Sequence, residues 1–344
     1  MGCDESGKEN TGRGGAVMKV LIIGGTGTIS SAVTRRCVDK GYDVTLLNRG
    51  NRGSVNGTHS ITADIHDAGA VRDAIGDEHF DAILEFVGFD PEHIQSDIKI
   101  FEGRTDQYIY TSSASAYQKP VKDYPITEET PLINPYWEYS QKKAECERIL
   151  MDAYRKDGFP VTIVRPSHTY DEKHVPVAVH GANGCWQVIQ RIIDGKSVII
   201  PGDGTSLWTT TYNTDFAKGY CGLIGNRDTI GEAYHITSDE VMSWNHIYEV
   251  IADAAGTELR PVHVLTDTLA ELGKKYDLRG SLLGDKSNSV LFDNSKIKAV
   301  SPEFICTVSM KEGITRAVRY MIGHEECHAA DPEFDAWCDE VIRS

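Results

Sequence analysis

Tyr139 and Lys143 stand four apart in the run Tyr139-Ser140-Gln141-Lys142-Lys143, which opens a helical pattern reaching about Arg155. That spacing sets both side chains on one helical face. A phenol titrates at about 10, too high for an effective base at neutral pH. An adjacent ammonium stabilises the phenolate, which makes Tyr139 a usable acid or base. Earlier, Thr111-Ser112-Ser113 closes an apolar run and sets hydroxyls at a strand end, where Ser113 would hold a substrate oxygen. Lys143 has a second use, as a donor to the ribose of a nicotinamide nucleotide.

A place for that nucleotide lies near the start of the chain. Met18-Lys19-Val20-Leu21-Ile22-Ile23 is an apolar run, Gly24-Gly25-Thr26-Gly27 a tight turn, and a helical pattern begins at about Thr28. Gly24 and Gly27 let the backbone approach a pyrophosphate, and the helix start at Thr28 and Ile29 offers N–H groups and a positive dipole end. The next strand, Tyr42 to Leu47, ends in Asn48-Arg49-Gly50-Asn51-Arg52. An acid there would bind the adenosine ribose of NAD, whereas Arg49 and Arg52 suit a 2′-phosphate, so NAD(P) is expected with NADP favoured. Asp64 ends a short strand from Ser60 and would accept from the adenine amino group, with Ile65 beside it. The strand from Phe80 to Gly88 should also end against the cofactor.

Strands and helices alternate with short links: helices at 29–40, 68–75, 91–102 and 139–155, strands at 80–88, 107–113 and 160–165. This is the pattern of a doubly wound parallel sheet covered on both faces. Residues 18–166, rejoined by about 205–235, are read as a Rossmann-type nucleotide domain. Residues 167–204 and 236–322 form a smaller α/β substrate lobe, with a leader at 1–17 and a tail at 323–344. A helix at 215–224 is expected to be capped by Thr214 or Asp215.

The glycine turn, the serine at a strand end and Tyr139 with Lys143 together resemble the extended short-chain dehydrogenase/reductase (NAD-dependent epimerase/dehydratase) family. Asp64, Ser112 to Tyr117, Val164-Arg165-Pro166, Pro201-Gly202-Asp203-Gly204 and Asp293 to Ile297 fit the same likeness, which runs from Met18 to about Ile322. It implies Ser113, Tyr139 and Lys143 as catalytic residues. It implies cofactor contacts at Gly24, Gly27, Asp64 and Lys143, and near Gly88 and Pro166. Two departures narrow the activity. Ala114-Ser115 replace the acidic pair of the sugar dehydratases, and Trp208 stands where the family places an arginine for a nucleotide diphosphate. The expected reaction is hydride exchange with a secondary alcohol or ketone of a sugar-like molecule. Epimerisation with a tightly held cofactor is the alternative, and a noncatalytic nucleotide-sensing or RNA-binding role the second. Ser115, His168, Tyr170 and Trp208 are candidate substrate contacts.

A formal charge of −16 on 344 residues argues against nucleic acid and anionic membranes as partners. Eight scattered cysteines without a C-x-x-C pair read as reduced thiols, hence a cytoplasmic protein, with a homodimer as an open option. Met1-Gly2-Cys3-Asp4-Glu5-Ser6 matches a loose myristoylation pattern. His324-Glu325-Glu326-Cys327-His328 matches H-E-x-x-H in letters, but Gly323 should end the preceding helix and leave a tail that packs Phe334 and Trp337. No metal ligand set is nominated for the site. Soft donors at His324, Cys327, His328 and Cys338 are a weaker option for a structural ion.

Overall fold

The computed structural model describes residues 17–51, 53 and 55–343. The leader up to residue 16, with its lipidation pattern, and Arg52 lie outside the described residues.

Seven strands form one parallel sheet: β1 (Lys19–Ile23), β2 (Asp43–Asn48), β3 (His59–Thr62), β4 (Ala82–Glu85), β5 (Tyr108–Thr111), β6 (Val161–Pro166) and β7 (Ala233–Ile236). Their spatial order is β3-β2-β1-β4-β5-β6-β7. The order reverses between β1 and β4, and the crevice beyond their carboxyl ends is where such sheets bind ligands. The apolar runs explain the double burial. Val20 and Ile22 of β1 face one core, whereas Leu21 and Ile23 face the other. Strand side chains alternate, so a continuous apolar run can satisfy both faces.

Helices α1 (Thr28–Asp39), α2 (Ala68–Ile75), α3 (Pro91–Phe101) and α4 (Glu138–Asp157) supply the crossovers. Cys146 and Leu150 of α4 pack on one face with Val71 of α2 and Ile94 of α3. On the other, Val33 of α1 meets Phe216 and Tyr220 of a later helix, Asn213–Leu223. Ile297 and Phe304 join this second face, so a stretch assigned above to the substrate lobe returns to the sheet. The helix at 213 starts earlier than expected, and neither Thr214 nor Asp215 caps it. Asp215 is buried instead and accepts from the N–H groups of Thr307 and Val308 at 2.9 and 2.8 Å.

The lobe has its own core, centred on Trp244, Tyr248 and Ile251 of helix Trp244–Ala255 and on Ile314 and Val318 of helix Met310–Gly323. The C-terminal stretch is more than a surface tail: Pro332–Arg343 is a helix that buries Phe334 and Cys338 in this core. Arg191 anchors it through Asp335 at 2.6 Å and Asp339 at 2.7 Å.

The helix before the H-E-x-x-H letters continues through Gly323, and Glu325–Cys327 is a single tight turn. His324 Nδ1 lies 2.7 Å from the Tyr320 carbonyl and His328 Nε2 2.8 Å from that of Met321. Their rings stack separately on Tyr320 and Trp186, each at 3.7 Å. The two imidazoles therefore do not share a helical face. Among the described residues no helix is long and apolar enough to cross a membrane.

Candidate functional site

A cleft of about 850 Å³ opens at the carboxyl edge of the sheet. Its walls bring together Gly24, Gly27, Thr28, Ile29, Asn48, Arg49, Asp64, Ile65, Ser113, Ser115, Tyr139, Lys143, Pro166 and His168, residues that lie far apart in the chain.

At the glycine turn Gly24 has φ of +101°, and a Cβ there would lie 3.1 Å from Val87 Cγ1. The position thus needs glycine for its backbone, and a bare main chain faces the cleft. Gly27 is extended and precedes the helix, its N–H donating to Ser30 Oγ at 2.9 Å. The first-turn N–H groups of α1 lack intrahelical acceptors, so the turn is a cradle for a phosphate. Asn48 spends its side chain on the turn itself, accepting from Gly50 N–H at 2.8 Å. Arg49 is exposed at the cleft.

Serine hydroxyls form a chain under the other end: Ser140 donates to Ser115 at 2.7 Å, and Ser115 Oγ is 2.8 Å from Ser113 Oγ. Burial raises the Tyr139 phenol above its ordinary value, and the hydrogen bond with Ser113 pulls the other way. The expected pull of Lys143 on this phenol is replaced by a different arrangement. Its Nζ donates to the carbonyls of Gly88 and Thr111, both at 2.9 Å, and sits under the Phe89 ring at 4.7 Å. Burial pushes this ammonium down to about 8.

Three expected contacts are not in the cleft wall. Gly88 lies beneath it and uses its carbonyl to hold Lys143 and the Tyr110 hydroxyl. Tyr170 is buried edge-on against Tyr212 at 5.4 Å. Trp208 is 1 % exposed and stacks on Trp244 at 5.4 Å, so it fills the lobe core where a substrate contact was expected. An aromatic ring gains more by such burial than by a half-wet wall. His168 does line the cleft, and burial with Lys286 nearby pushes its imidazole down to about 3.

Sequence reasoning missed Asp285, Phe89, Trp137 and Phe292 in the wall. Asp285 closes a wide helical turn at Arg279–Lys286, a type of turn that recurs at functional sites. Burial pushes its carboxyl up to about 6 against the pull of Lys119 and Lys286. The Asp285 charge in turn works against ionisation of Tyr139. Lys119 is buried, and its Nζ has no hydrogen-bond partner among the described residues. No local motif marks these groups: Phe89 and Trp137 sit in the connections after β4 and before α4, and Asp285 and Phe292 enter from the other lobe.

The NAD dependent epimerase/dehydratase family matches residues 20–237. The chain is 33% identical to a UDP-glucose 4-epimerase of Lactobacillus helveticus over 43% of its own length and 51% of that protein. Thus it spans about half of that relative. It is 23% identical to a 2'-dehydrokanamycin reductase of Streptomyces kanamyceticus over 74% of this chain and 71% of the other. Among solved structures, a dTDP-glucose 4,6-dehydratase from Bacillus anthracis in complex with NAD superposes with a TM-score of 0.71 at 17% identity, covering 90% and 98% of the two chains.

Proposed function

We propose, since the chain belongs to the NAD-dependent epimerase/dehydratase family, that it exchanges hydride with a secondary alcohol or ketone of a sugar-like molecule. One observation carries the reading: Ser113, Tyr139 and Lys143 line the same cleft as the bare Gly24 turn. That turn and the first turn of α1 would hold the pyrophosphate of NAD(P), Asp64 the adenine, and Arg49 a 2′-phosphate, which favours NADP. The dinucleotide, when bound, supplies hydride acceptance and donation at its nicotinamide.

The chain's own groups handle the proton and the oxygen. Ser113 holds the substrate oxygen, with Ser115 and Ser140 fixing its hydroxyl. Tyr139 moves the proton at that oxygen. Lys143, held in the cleft wall by the Gly88 and Thr111 carbonyls, would donate to the ribose of the nicotinamide nucleotide. Asp285 accepts a hydrogen bond from a further substrate hydroxyl. Phe89, Trp137 and Phe292 exclude water.

Net reduction is preferred to conversion of a nucleotide sugar because Trp208, in the place of a diphosphate-binding arginine, is sealed in the lobe core. Epimerisation would use the same three groups, and the likeness to the UDP-glucose 4-epimerase supports it as the second reading.

The test is Tyr139→Phe assayed against a panel of sugars and alcohols with NADP and NAD. The variant should bind dinucleotide as the parent does while turnover falls by about 100-fold or more, the scale of a lost acid–base group. Undiminished turnover in Tyr139→Phe would end this assignment. Release of reduced cofactor separates the dehydrogenase from the epimerase. Thermal stabilisation by NADP no larger than by NAD would count against the role of Arg49.

A further inference from the structure

Beneath the sheet edge, three side chains outside the proposed reaction meet at one point. Glu85 ends β4, and His93 and Asp97 stand one turn apart on the inner face of α3; all three are buried. Each carboxylate has one oxygen held from outside. Val87 N–H donates to Glu85 Oε1, and the Tyr108 hydroxyl donates to Asp97 Oδ2 at 2.6 Å. The remaining atoms, Glu85 Oε2, Asp97 Oδ1 and both nitrogens of His93, are buried without a hydrogen-bond partner among the described residues.

The spacing of these atoms decides between two explanations. His93 Nε2 lies 3.5 Å from Asp97 Oδ1 and 3.9 Å from Glu85 Oε2, and one ligand atom from each residue falls within 4.8 Å of the others. Direct hydrogen bonds would draw N and O to about 2.7–3.2 Å. Two ligands bound at about 2.1 Å to one tetrahedral ion stand roughly 3.4 Å apart. The observed separations are therefore closer to a ligand set than to a hydrogen-bonded cluster. Charge agrees. Among the described residues neither carboxylate has an ion pair with lysine or arginine; their positive neighbours are the His93 ring and, at longer range, Lys143, and two buried carboxylates so thinly compensated are costly.

We propose that Glu85, His93 and Asp97 bind one divalent cation of the zinc type through Glu85 Oε2, His93 Nε2 and Asp97 Oδ1. One imidazole and two carboxylates are a donor set zinc accepts, with a fourth position for a solvent oxygen. The Val87 N–H and Tyr108 hydroxyl are the outer partners that orient its ligands. Entry is one side chain deep, because His66, which lines the cleft, meets the His93 ring edge-on at 4.9 Å. The ion would clamp α3 to β4. It is independent of the hydride chemistry, so failure of either leaves the other standing.

The experiment uses the full chain, stripped with a chelator and dialysed against zinc chloride or cobalt(II) chloride, with bound metal counted by elemental analysis. One equivalent is expected, with a raised melting temperature. Cobalt should give visible bands of a tetrahedral site without a thiolate charge-transfer band. Glu85→Gln, which can still accept from Val87 N–H, and His93→Asn should each weaken binding by more than about 100-fold. Tyr108→Phe should weaken it by roughly 10- to 100-fold, as loss of an outer partner does. No uptake by the stripped parent would overturn the site in favour of a proton shared by the carboxylates. A thiolate band, or full uptake by folded Glu85→Gln, would place the ion elsewhere. The cobalt spectrum of the parent keeps the test decisive if a variant fails to fold.

Discussion

The Nζ of Lys143 lies 6.0 Å from the centroid of the Tyr139 ring, although the two residues are a single helical turn apart. The ammonium points down to the sheet edge, where the carbonyls of Gly88, beyond β4, and of Thr111, at the end of β5, accept its hydrogen bonds. It is thus a structural donor as well as a neighbour of the phenol, and its removal has two separable consequences.

Lys143→Met should lower turnover by about 100-fold or more, on the scale of an acid–base group. It also leaves the Gly88 and Thr111 carbonyls without this donor, a loss of about 1–3 kcal/mol that is partly offset by removing a desolvated charge. The pH dependence has a definite sign. Lys143 is held at about 8 in the fold, against about 10.4 in the unfolded chain. Between those values the unfolded chain binds the extra proton, so stability rises with pH. Urea titrations at pH 7.5 and pH 10 (values of about that size bracket the window) should show the parent gaining on Lys143→Met at the higher pH. An equal difference at both would contradict the burial argument.

Asp285 carries the opposite linkage. Its folded value of about 6 exceeds the unfolded value of about 3.9, so its stabilising contribution is complete below the lower value and is lost as pH rises through the upper. Asp285→Asn should therefore be more stable than the parent at neutral pH, with the gap closing towards about pH 4. The same change should raise KM for a hydroxylated substrate more than it lowers kcat. A variant that loses stability at neutral pH would show that the carboxylate is paired.

Gly24→Ala tests the phosphate cradle. A side chain there must adopt a φ of +101° and press on Val87. The strain is worth roughly 1–2 kcal/mol, and the added methyl group presses on Val87 and touches Phe86, both of which line the cleft. Dinucleotide affinity should fall by more than the melting temperature implies, measured by fluorescence titration beside calorimetry. Unchanged affinity would remove the turn from the cofactor site.

Arg165 and Glu147 form a buried fork: Nη2 meets Oε2 at 2.6 Å, and Nε lies 3.0 and 3.1 Å from the two oxygens. Arg165 Nη1 also donates to the Tyr117 hydroxyl and the Glu128 carbonyl. Glu147→Ala leaves a buried guanidinium without its anion and should cost about 3–5 kcal/mol. Denaturant midpoints should show the double variant Glu147→Leu, Arg165→Met recovering part of that loss. A single variant as stable as the parent would mean that the charges are solvated.

Much of this protein could be read along the chain because the deciding physics is local. Apolar runs such as Lys19–Ile23 must be buried on both faces, glycine spacing makes a turn, and a four-residue separation aligns Tyr139 with Lys143 whatever lies around them. Those features were enough for the parallel sheet and for part of the cleft wall. Direction and partnership were decided only when distant elements met. Trp208 looked available until Trp244 covered it, Tyr170 until Tyr212 did. Lys143 turned towards two carbonyls that no pattern advertises. Asp285 reached the cleft from the lobe, and Glu85 joined His93 and Asp97 because β4 runs beside α3. Burial and pairing depend on the whole packing around a side chain, so the spacing of letters in one segment cannot encode them.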